Sequence, residues 1–386
     1  MDLDDFDKLI ERRNTDSTKW DKYKDRDIIP LWVADMDFRS PPALLDALHK
    51  RIEHGVFGYT QAPAELVATV LDMLEREYGW TVQPDWLIWL PGVVTGFNIA
   101  CRIAGEDNDA VLTATPVYHP FLAAPENNQR RLIQVPMLRD ASWHLDFERL
   151  EDAVTPDTRM FLLCSPHNPV GRVYTREELL TLAELCDKHD ILICSDEIHC
   201  QLLLDQDKRH IPTASLDPAI AARTITLMAP SKTFNLAGLL CSFAIISNAR
   251  LRERFLAAKS GIVPHVGTLN YTAALAAYRD CDDWRRALLD YLSGNRDLVE
   301  QAVATMPGVA MTHVEATYLA WINVTATGLD NPVGFFEEAG LGFSDGSVFG
   351  GPGFIRFNFG CPRATLSKAL ARMDTALQRH TQLAES

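Results

Sequence analysis

The sequence predicts an α/β protein in which a mostly parallel sheet is sandwiched by helices and a smaller α/β domain follows. Three observations lead to this fold class. Between about residues 85 and 250, short apolar runs alternate with helical patterns. A long helical stripe then leads to further strand patterns. The length of 386 residues also exceeds a typical domain of roughly 150 residues, which favours two domains.

The first region contains a series of predicted strands, at 110–114, 132–135, 160–164, 191–194, 224–228 and 242–247. Their continuous apolar character is typical of parallel strands that are buried on both faces. Between the third and fourth strands, Thr175 and Glu178 have the spacing of a capping box. Leu179, Leu182 and Cys186 then fall on one face, so we predict a helix there.

The second region begins with a predicted helix over about 283–306. Residues 317–324 and 354–359 read as strands, and the latter alternates apolar and polar residues, with Arg356 on the polar side. A helix near 365–380 is the last predicted element.

Composition and charge argue against several classes of partner. Asp and Glu total 52 against 37 Lys and Arg, and the net charge of −15 repels nucleic acid and anionic lipid. The acidic start MDLDDFDKLIERR resembles neither a secretory signal nor a transit peptide. The longest apolar stretch, 87–105, is interrupted by Pro91, Asn98 and Arg102. We therefore expect a cytoplasmic protein with no nucleic-acid or membrane partner.

The cysteines and acidic residues do not form a metal motif. Eight cysteines are scattered without a CxxC pair, which argues against a disulfide framework and a structural zinc site. Asp196, Glu197, His199 and Cys200 are close in sequence but lack the spacing of metal ligands. We predict no metal.

Three polar side chains follow the ends of apolar strands: Asn168, Asp196 and Lys232. Ligands of open α/β sheets bind beyond this edge. A desolvated lysine can form a Schiff base with an aldehyde. A carboxylate can keep a pyridine nitrogen protonated, and an amide can bond a ring oxygen. Pyridoxal 5'-phosphate (PLP) would use all three groups.

Each candidate residue also has an ordinary structural explanation. Lys232 alone would be a solvated loop residue, and Asp196 could cap a helix. Asn168 before proline could mark a turn, and Arg356 could form a surface salt bridge. Tyr118 and Tyr59, in the same way, could be half-buried packing residues.

A family resemblance favours the catalytic explanation. The chain resembles fold-type-I PLP enzymes of the class I/II aminotransferase superfamily, and more closely its cysteine-S-conjugate β-lyase branch, the cystathionine β-lyases of the MalY/PatB type. The resemblance runs along nearly the whole chain, through VADMDF (33–38), GYT (58–60), LPGVV (90–94), PVYHPF (116–121), SPHNPVGR (165–172), SDEIH (195–199), APSKTFNLAGL (229–239), EATYLAW (315–321) and the strand with Arg356.

The resemblance implies a role for each residue around the PLP ring. Lys232 would be the Schiff-base lysine, Asp196 the partner of the pyridine nitrogen, and Asn168 the partner of the ring oxygen. Tyr118 would stack on the ring, and His199 would lie beside it.

It also implies how the phosphate is held and that subunits share their sites. The backbone of Val93 and Val94, after a strand-to-helix turn, would bind the phosphate. Ser231 would add a hydroxyl group. Tyr59 would reach the phosphate of the neighbouring subunit, so the resemblance implies a homodimer.

For the substrate, Arg356 would pair with the α-carboxylate, helped by Asn168 and the backbone near Ala34.

The resemblance also implies the domain bounds. The large PLP-binding domain would span 45–285, and the small domain would combine 1–44 with 286–386.

Two positions differ from many aminotransferases: Leu240 replaces an arginine and His199 replaces a tyrosine. Both departures resemble the lyase branch, which implies α,β-elimination of L-cystathionine or a related L-cysteine S-conjugate. An aminotransferase is the alternative within the family, and a regulatory protein that retains PLP is the alternative of another class. The roles of His119 and His167 stay open.

Overall fold

The computed structural model describes residues 3–385, so Met1, Asp2 and Ser386 of the predicted domain bounds lie outside the described residues. The helices are α1 Thr18–Asp21, α2 Pro42–His54, α3 Ala64–Tyr78, α4 Val93–Arg102, α5 Pro120–Asn127, α6 Phe147–Ala153, α7 Arg176–Lys188, α8 Pro218–Ala222, α9 Ala249–Lys259, α10 Thr268–Asp280, α11 Asp282–Thr305, α12 Pro332–Glu338 and α13 Arg363–Glu385. The strands are β1 Ile29–Pro30, β2 Leu87–Leu90, β3 Ala110–Thr115, β4 Arg131–Pro136, β5 Leu138–Arg139, β6 Trp143–His144, β7 Thr158–Cys164, β8 Leu192–Asp196, β9 Thr224–Met228, β10 Ser242–Ile245, β11 Ala310–Met311, β12 Leu319–Asn323, β13 Leu341–Gly342, β14 Ser344–Asp345 and β15 Phe354–Asn358.

A seven-stranded sheet with the order β2-β10-β9-β8-β7-β3-β4 is the largest sheet among the described residues. The strands from β9 to β4 pair in parallel. β10 is antiparallel to both of its neighbours. The predicted mostly parallel sheet is therefore confirmed, and its antiparallel strand is a feature that apolar runs cannot reveal.

Both faces of this sheet are buried, which explains its continuous apolar strands. Val111 and Leu162 pack with Phe97 of α4 in one apolar cluster. Leu112, next to Val111 in β3, packs in another cluster with Leu182 of α7. Successive side chains thus enter opposite helical layers, as the pleat of a strand requires.

The predicted capping box is confirmed at the start of α7. The Thr175 side chain accepts a bond from the Glu178 N–H, and the Glu178 side chain accepts one from the Thr175 N–H. The predicted helices over 283–306 and 365–380 correspond to α11 and the longer α13.

A four-stranded antiparallel sheet, β11-β12-β15-β14, forms the second layer of strands. The strand expected over 317–324 begins only at Leu319, because Thr317 has a left-handed backbone conformation with φ of 76°. The helices α2 and α3 both pack against α10, and the sequence patterns predict none of these three helices. The proposed division at residues 45 and 285 stays a prediction.

Within residues 3–385, no helix combines the length and the apolar character needed to cross a bilayer. The cysteines are free and buried thiols. The cytoplasmic location stays a prediction.

Candidate active site

The carboxyl ends of β7, β8 and β9 meet at one edge of the large sheet. Cys164, the last residue of β7, pairs with Asp196, the last residue of β8. Asp196 also pairs with Leu227 of β9. Asn168 and Lys232 follow β7 and β9 in the next loops. The structure therefore places the amide, carboxylate and amine at the edge that the sequence predicts.

Lys232 has an amine that loses its proton more easily than usual. It is half-buried, and its Nζ donates to the Ala34 carbonyl at 2.7 Å. Burial, followed by the positive charge of Arg356, lowers the pKa of Lys232 to about 8, although Asp35 and Asp196 act in the opposite direction. A useful fraction of this amine is therefore neutral near physiological pH.

Asp196 has a carboxyl group that gains a proton more easily than usual. Its burial raises its pKa to about 7, while the Ile198 N–H and the charge of Lys232 partly oppose this change. The Ile198 N–H donates to Asp196 Oδ1 at 3.1 Å. A carboxyl group with this pKa can give a proton to a basic ring nitrogen and then stay ionised beside it.

Arg356 is a buried cation without a carboxylate partner among the described side chains. Only 4% of its surface is exposed. Its Nη1 donates to Asn168 Oδ1 at 3.2 Å and its Nη2 to the Trp32 carbonyl at 2.8 Å, while Nε has no partner. The guanidinium lies 4.6 Å from the Phe349 ring centroid. Burial lowers the pKa of Arg356 to about 10.

This environment excludes the surface salt bridge that was the alternative for Arg356. The polar side of β15 is buried as well as its apolar side, because Asn358 is also fully buried. A buried guanidinium without a counter-ion is suited to bind an anionic group of a ligand.

The segment 32–38 lies between the lysine and the arginine. Its carbonyls accept bonds from Lys232 and Arg356. Asn358 Nδ2 donates to two other carbonyls of the segment, at 2.6 and 2.7 Å. Asn235 Nδ2 donates to two more, each at 2.9 Å, and its Oδ1 accepts an N–H of the segment. The backbone of this segment is therefore fixed between the two cationic groups.

The same segment is anchored to the N-terminal region by ion pairs. Arg12 Nη2 lies 2.7 Å from Asp35 Oδ2, and Lys19 Nζ lies 2.8 Å from Asp37 Oδ2. The Lys19 side chain is completely buried. These contacts connect residues far from the site to the carbonyls that hold Lys232 and Arg356.

The N-terminus of α4 is open to an anion. Its N-cap, Gly92, supplies no capping side chain, and a Cβ at this position would meet no atom within 4 Å. Val93 is buried and Val94 is 40% exposed. Gly96 lets the helix approach the sheet, since a Cβ there would lie 2.7 Å from Leu227. The backbone N–H groups of this turn suit a phosphate.

His167 connects two loops of the site. Its Nε2 donates to the Pro116 carbonyl, and its Nδ1 accepts the Tyr174 hydroxyl proton, each at 2.7 Å. Burial lowers the pKa of His167 to about 4, so it is neutral. The Tyr118 N–H donates to the Asn168 carbonyl at 3.0 Å. His167 therefore has a structural role that the sequence left open.

The two other histidines near the site differ in exposure. His199 is buried, its Nδ1 has no partner among residues 3–385, and burial lowers its pKa to about 3. Its ring lies 6.2 Å from that of Tyr318. His119 is exposed, with its ring 5.0 Å from Tyr118 and 5.7 Å from Phe349.

Two predicted residues make no contacts that assign them a role. Ser231 is half-buried, and within residues 3–385 its hydroxyl has no hydrogen-bond partner. The side chain of Tyr59 is fully exposed.

Ala34 contributes its carbonyl to Lys232, and the expected help of its backbone to a substrate carboxylate stays a prediction. Tyr318, which the sequence analysis gave no role, donates its hydroxyl proton to this same carbonyl.

These groups fit PLP. The buried His199 Nδ1 lacks a partner among residues 3–385, the helix N-terminus is uncapped, and Lys232 has a lowered pKa. A ligand with an aldehyde, a basic ring nitrogen and a phosphate matches this set of amine, carboxyl and N–H groups.

Comparison with known proteins agrees with this geometry. The family model described as aminotransferase class I and II matches residues 26–373. The cystathionine β-lyase PatB of Bacillus subtilis (strain 168) is 39% identical, over 96% of this chain and 99% of that protein. The crystal structure of OvoB has a TM-score of 0.94 and 48% identity, over 96% of this chain and 98% of that one.

The crystal structure of cystalysin from Treponema denticola, which contains a PLP cofactor, has a TM-score of 0.92 and 35% identity, over 97% of this chain and 99% of that one. The match to the family model extends over most of the chain, and the architecture is that of fold type I. The chain therefore belongs to the aminotransferase class I and II family, among relatives that include PLP-dependent carbon–sulfur lyases.

Proposed function

We propose that this protein is a PLP-dependent carbon–sulfur lyase that catalyses α,β-elimination of L-cystathionine or a related L-cysteine S-conjugate. The products are a thiol, which is homocysteine for cystathionine, together with pyruvate and ammonia. The observation that carries this proposal is that a lysine with a lowered pKa and a buried arginine, which has no carboxylate partner among the described side chains, donate to carbonyls of the same segment, 32–38.

The residues of the sheet edge would hold PLP. Lys232 would bind its aldehyde, Asp196 its ring nitrogen and Asn168 its ring oxygen, with Tyr118 stacked on the ring. The phosphate would lie at Val93 and Val94, with Ser231, while His199 would lie beside the ring. When bound, PLP supplies a ring that takes up electrons from the substrate Cα.

Arg356 would bind and orient the substrate. Two of its nitrogens already donate to Asn168 and Trp32, and Nε remains without a partner. Pairing with the α-carboxylate would supply the negative charge that this buried guanidinium lacks. The cation thereby fixes the amino-acid end of the substrate near Lys232.

The amino group of the substrate would replace Lys232 at the aldehyde carbon and free its amine, so Lys232 would then act as the general base. Its neutral amine takes the proton from the substrate Cα, and Asp196 holds a proton on the ring nitrogen during this step. The Cβ–S bond breaks, and its electron pair leaves with the thiolate. Addition of water to the remaining three-carbon fragment gives pyruvate and ammonia.

The features that favour elimination over transamination are Leu240 and His199, at positions where many aminotransferases have arginine and tyrosine.

The test of elimination supplies L-cystathionine without a keto acid and measures pyruvate, ammonia and free thiol. Equal amounts over many turnovers are expected. A reaction that stops after one equivalent and resumes on addition of a keto acid would identify an aminotransferase. Absence of turnover with every cysteine conjugate would favour a regulatory protein.

Attachment of PLP to Lys232 has a separate test. The purified holoenzyme should be yellow, and borohydride reduction followed by peptide mass mapping should give a pyridoxyl adduct on Lys232. A protein that remains unmodified after incubation with PLP would refute the proposed cofactor and the proposed reaction together.

We also propose a homodimer in which Tyr59 reaches the phosphate of the other subunit. The support is the exposure of this segment, where Val56, Phe57 and Tyr59 are all more than half exposed. Mixing an inactive Tyr59 variant with an inactive Lys232 variant should restore activity, because a heterodimer contains one intact site. No recovery despite confirmed subunit exchange would refute the sharing.

A further inference from the structure

Tyr318 and Lys232 share one hydrogen-bond acceptor. The Tyr318 hydroxyl donates to the Ala34 carbonyl at 2.9 Å, and Lys232 Nζ donates to the same oxygen at 2.7 Å. Tyr318 is only 1% exposed. The proposed reaction gives no role to this hydroxyl group, although it lies beside the acceptor of the reacting amine.

The backbone before Tyr318 is strained. Thr317 is completely buried and has φ of 76°, a left-handed conformation that β-branched residues rarely adopt. Its N–H donates to the Leu202 carbonyl at 2.8 Å, and its Oγ1 accepts the Leu319 N–H at 3.2 Å. Such strain persists only where surrounding contacts enforce it. The bend occurs immediately before Tyr318, whose hydroxyl reaches the Ala34 carbonyl.

The shared carbonyl determines the local geometry of the amine. Among residues 3–385, Ala34 supplies the one hydrogen-bond acceptor of Lys232 Nζ. Arg356, Asp35 and Asp196 act on the amine through their charges. The direction of its free lone pair therefore depends on where this carbonyl points.

We propose that Tyr318 is a positioning residue, whose hydroxyl fixes the Ala34 carbonyl and thereby orients the Lys232 amine. This inference rests on the proposed role of Lys232 as the reacting amine. An oriented amine reacts faster because the correct approach is set before the reaction begins. The hydroxyl should affect the rate of reaction at Lys232 and leave the capture of the substrate carboxylate unchanged.

The test compares Tyr318→Phe with Tyr23→Phe. Each change removes one hydroxyl, and the Tyr23 hydroxyl donates to Glu337 at 2.7 Å, in contacts that do not involve Lys232. We expect Tyr318→Phe to lower kcat for L-cystathionine about tenfold with KM changed less than about twofold. The rate of covalent PLP attachment to the full chain, stripped of cofactor, should fall by a similar factor at pH 7 and pH 9. Tyr23→Phe should change neither rate. Thermal unfolding of both variants shows that each is folded.

Three results would overturn the positioning role: unchanged rates in Tyr318→Phe, equal losses in the two variants, or a loss that disappears at pH 9. The last result would show that the hydroxyl affects protonation of the amine and leaves its direction unchanged. The attachment rate does not depend on elimination. If PLP attaches more slowly to Tyr318→Phe while the unmodified enzyme performs no elimination, the positioning role of Tyr318 is kept and the proposed reaction is refuted.

Discussion

Replacing Arg356 by methionine should reduce activity and leave the protein about as stable. Burial lowers the pKa of Arg356 from the ordinary value of arginine to about 10, which means that the buried charge opposes folding. The difference corresponds to about 3 kcal/mol. This cost is present at pH 7, below the folded pKa, and disappears only as pH rises above it. The hydrogen bonds from this charged donor to Asn168 and Trp32 return about 1.5 kcal/mol each, so the two effects nearly cancel and the free energy of unfolding should change by less than about 1 kcal/mol.

Loss of the pair with the substrate carboxylate should lower activity. A charged hydrogen-bonded pair contributes about 1.5–3 kcal/mol, which corresponds to a decrease in kcat/KM of about ten- to a hundredfold. Initial rates with L-cystathionine and urea denaturation measure the two quantities. A loss of more than about 2 kcal/mol of stability in Arg356→Met would contradict the expected stability, and an unchanged kcat/KM would contradict the role of Arg356 in binding the substrate carboxylate.

Arg172→Met is the matched control for stability. Arg172 is also buried, at 6% exposure, but its nitrogens lie 2.9 Å from Glu178 and 3.3 Å from Glu315. Removing this cation leaves Glu178 without its guanidinium partner and Glu315 with Lys208, 2.8 Å away, as its remaining cation. We expect this variant to lose about 3–5 kcal/mol in the same denaturation experiment.

Three further predictions concern the cofactor. Asp196→Ala should still attach PLP but lower kcat by about 10²–10⁴-fold, and unchanged turnover at saturation would contradict its role. Gly92→Asp should cap α4 and leave stability equal or slightly higher, while its negative charge weakens PLP binding about tenfold or more in an equilibrium titration. The rate of PLP attachment to Lys232 should rise with pH and level off near the pKa of about 8, whereas a rate still rising at pH 10 would show an ordinary lysine.

The sequence predicts the strands of the large sheet well because burial on both faces leaves a continuous apolar pattern. It also predicts that Asn168, Asp196 and Lys232 lie at one edge, since the carboxyl ends of parallel strands meet there. The antiparallel direction of β10 could not be predicted, because an apolar run has no direction.

Other features of the site depend on contacts between distant parts of the chain. The alternation of β15 places Arg356 on its polar side but does not reveal that this side is also buried. The left-handed Thr317 has no sequence signal, since threonine normally avoids this conformation. Tyr318 lies in a block that supports the family resemblance, yet its bond to Ala34 becomes visible only in the folded chain.

The use of a backbone carbonyl to hold Lys232 has an evolutionary consequence. Every residue type has a carbonyl, so the identity of residue 34 can change without removing the acceptor. Selection on this contact should instead act on Asn235 and Asn358, whose side-chain amides fix the surrounding backbone. Substitutions of Asn235 or Asn358 should alter the orientation of the Lys232 amine more than many substitutions at position 34 itself.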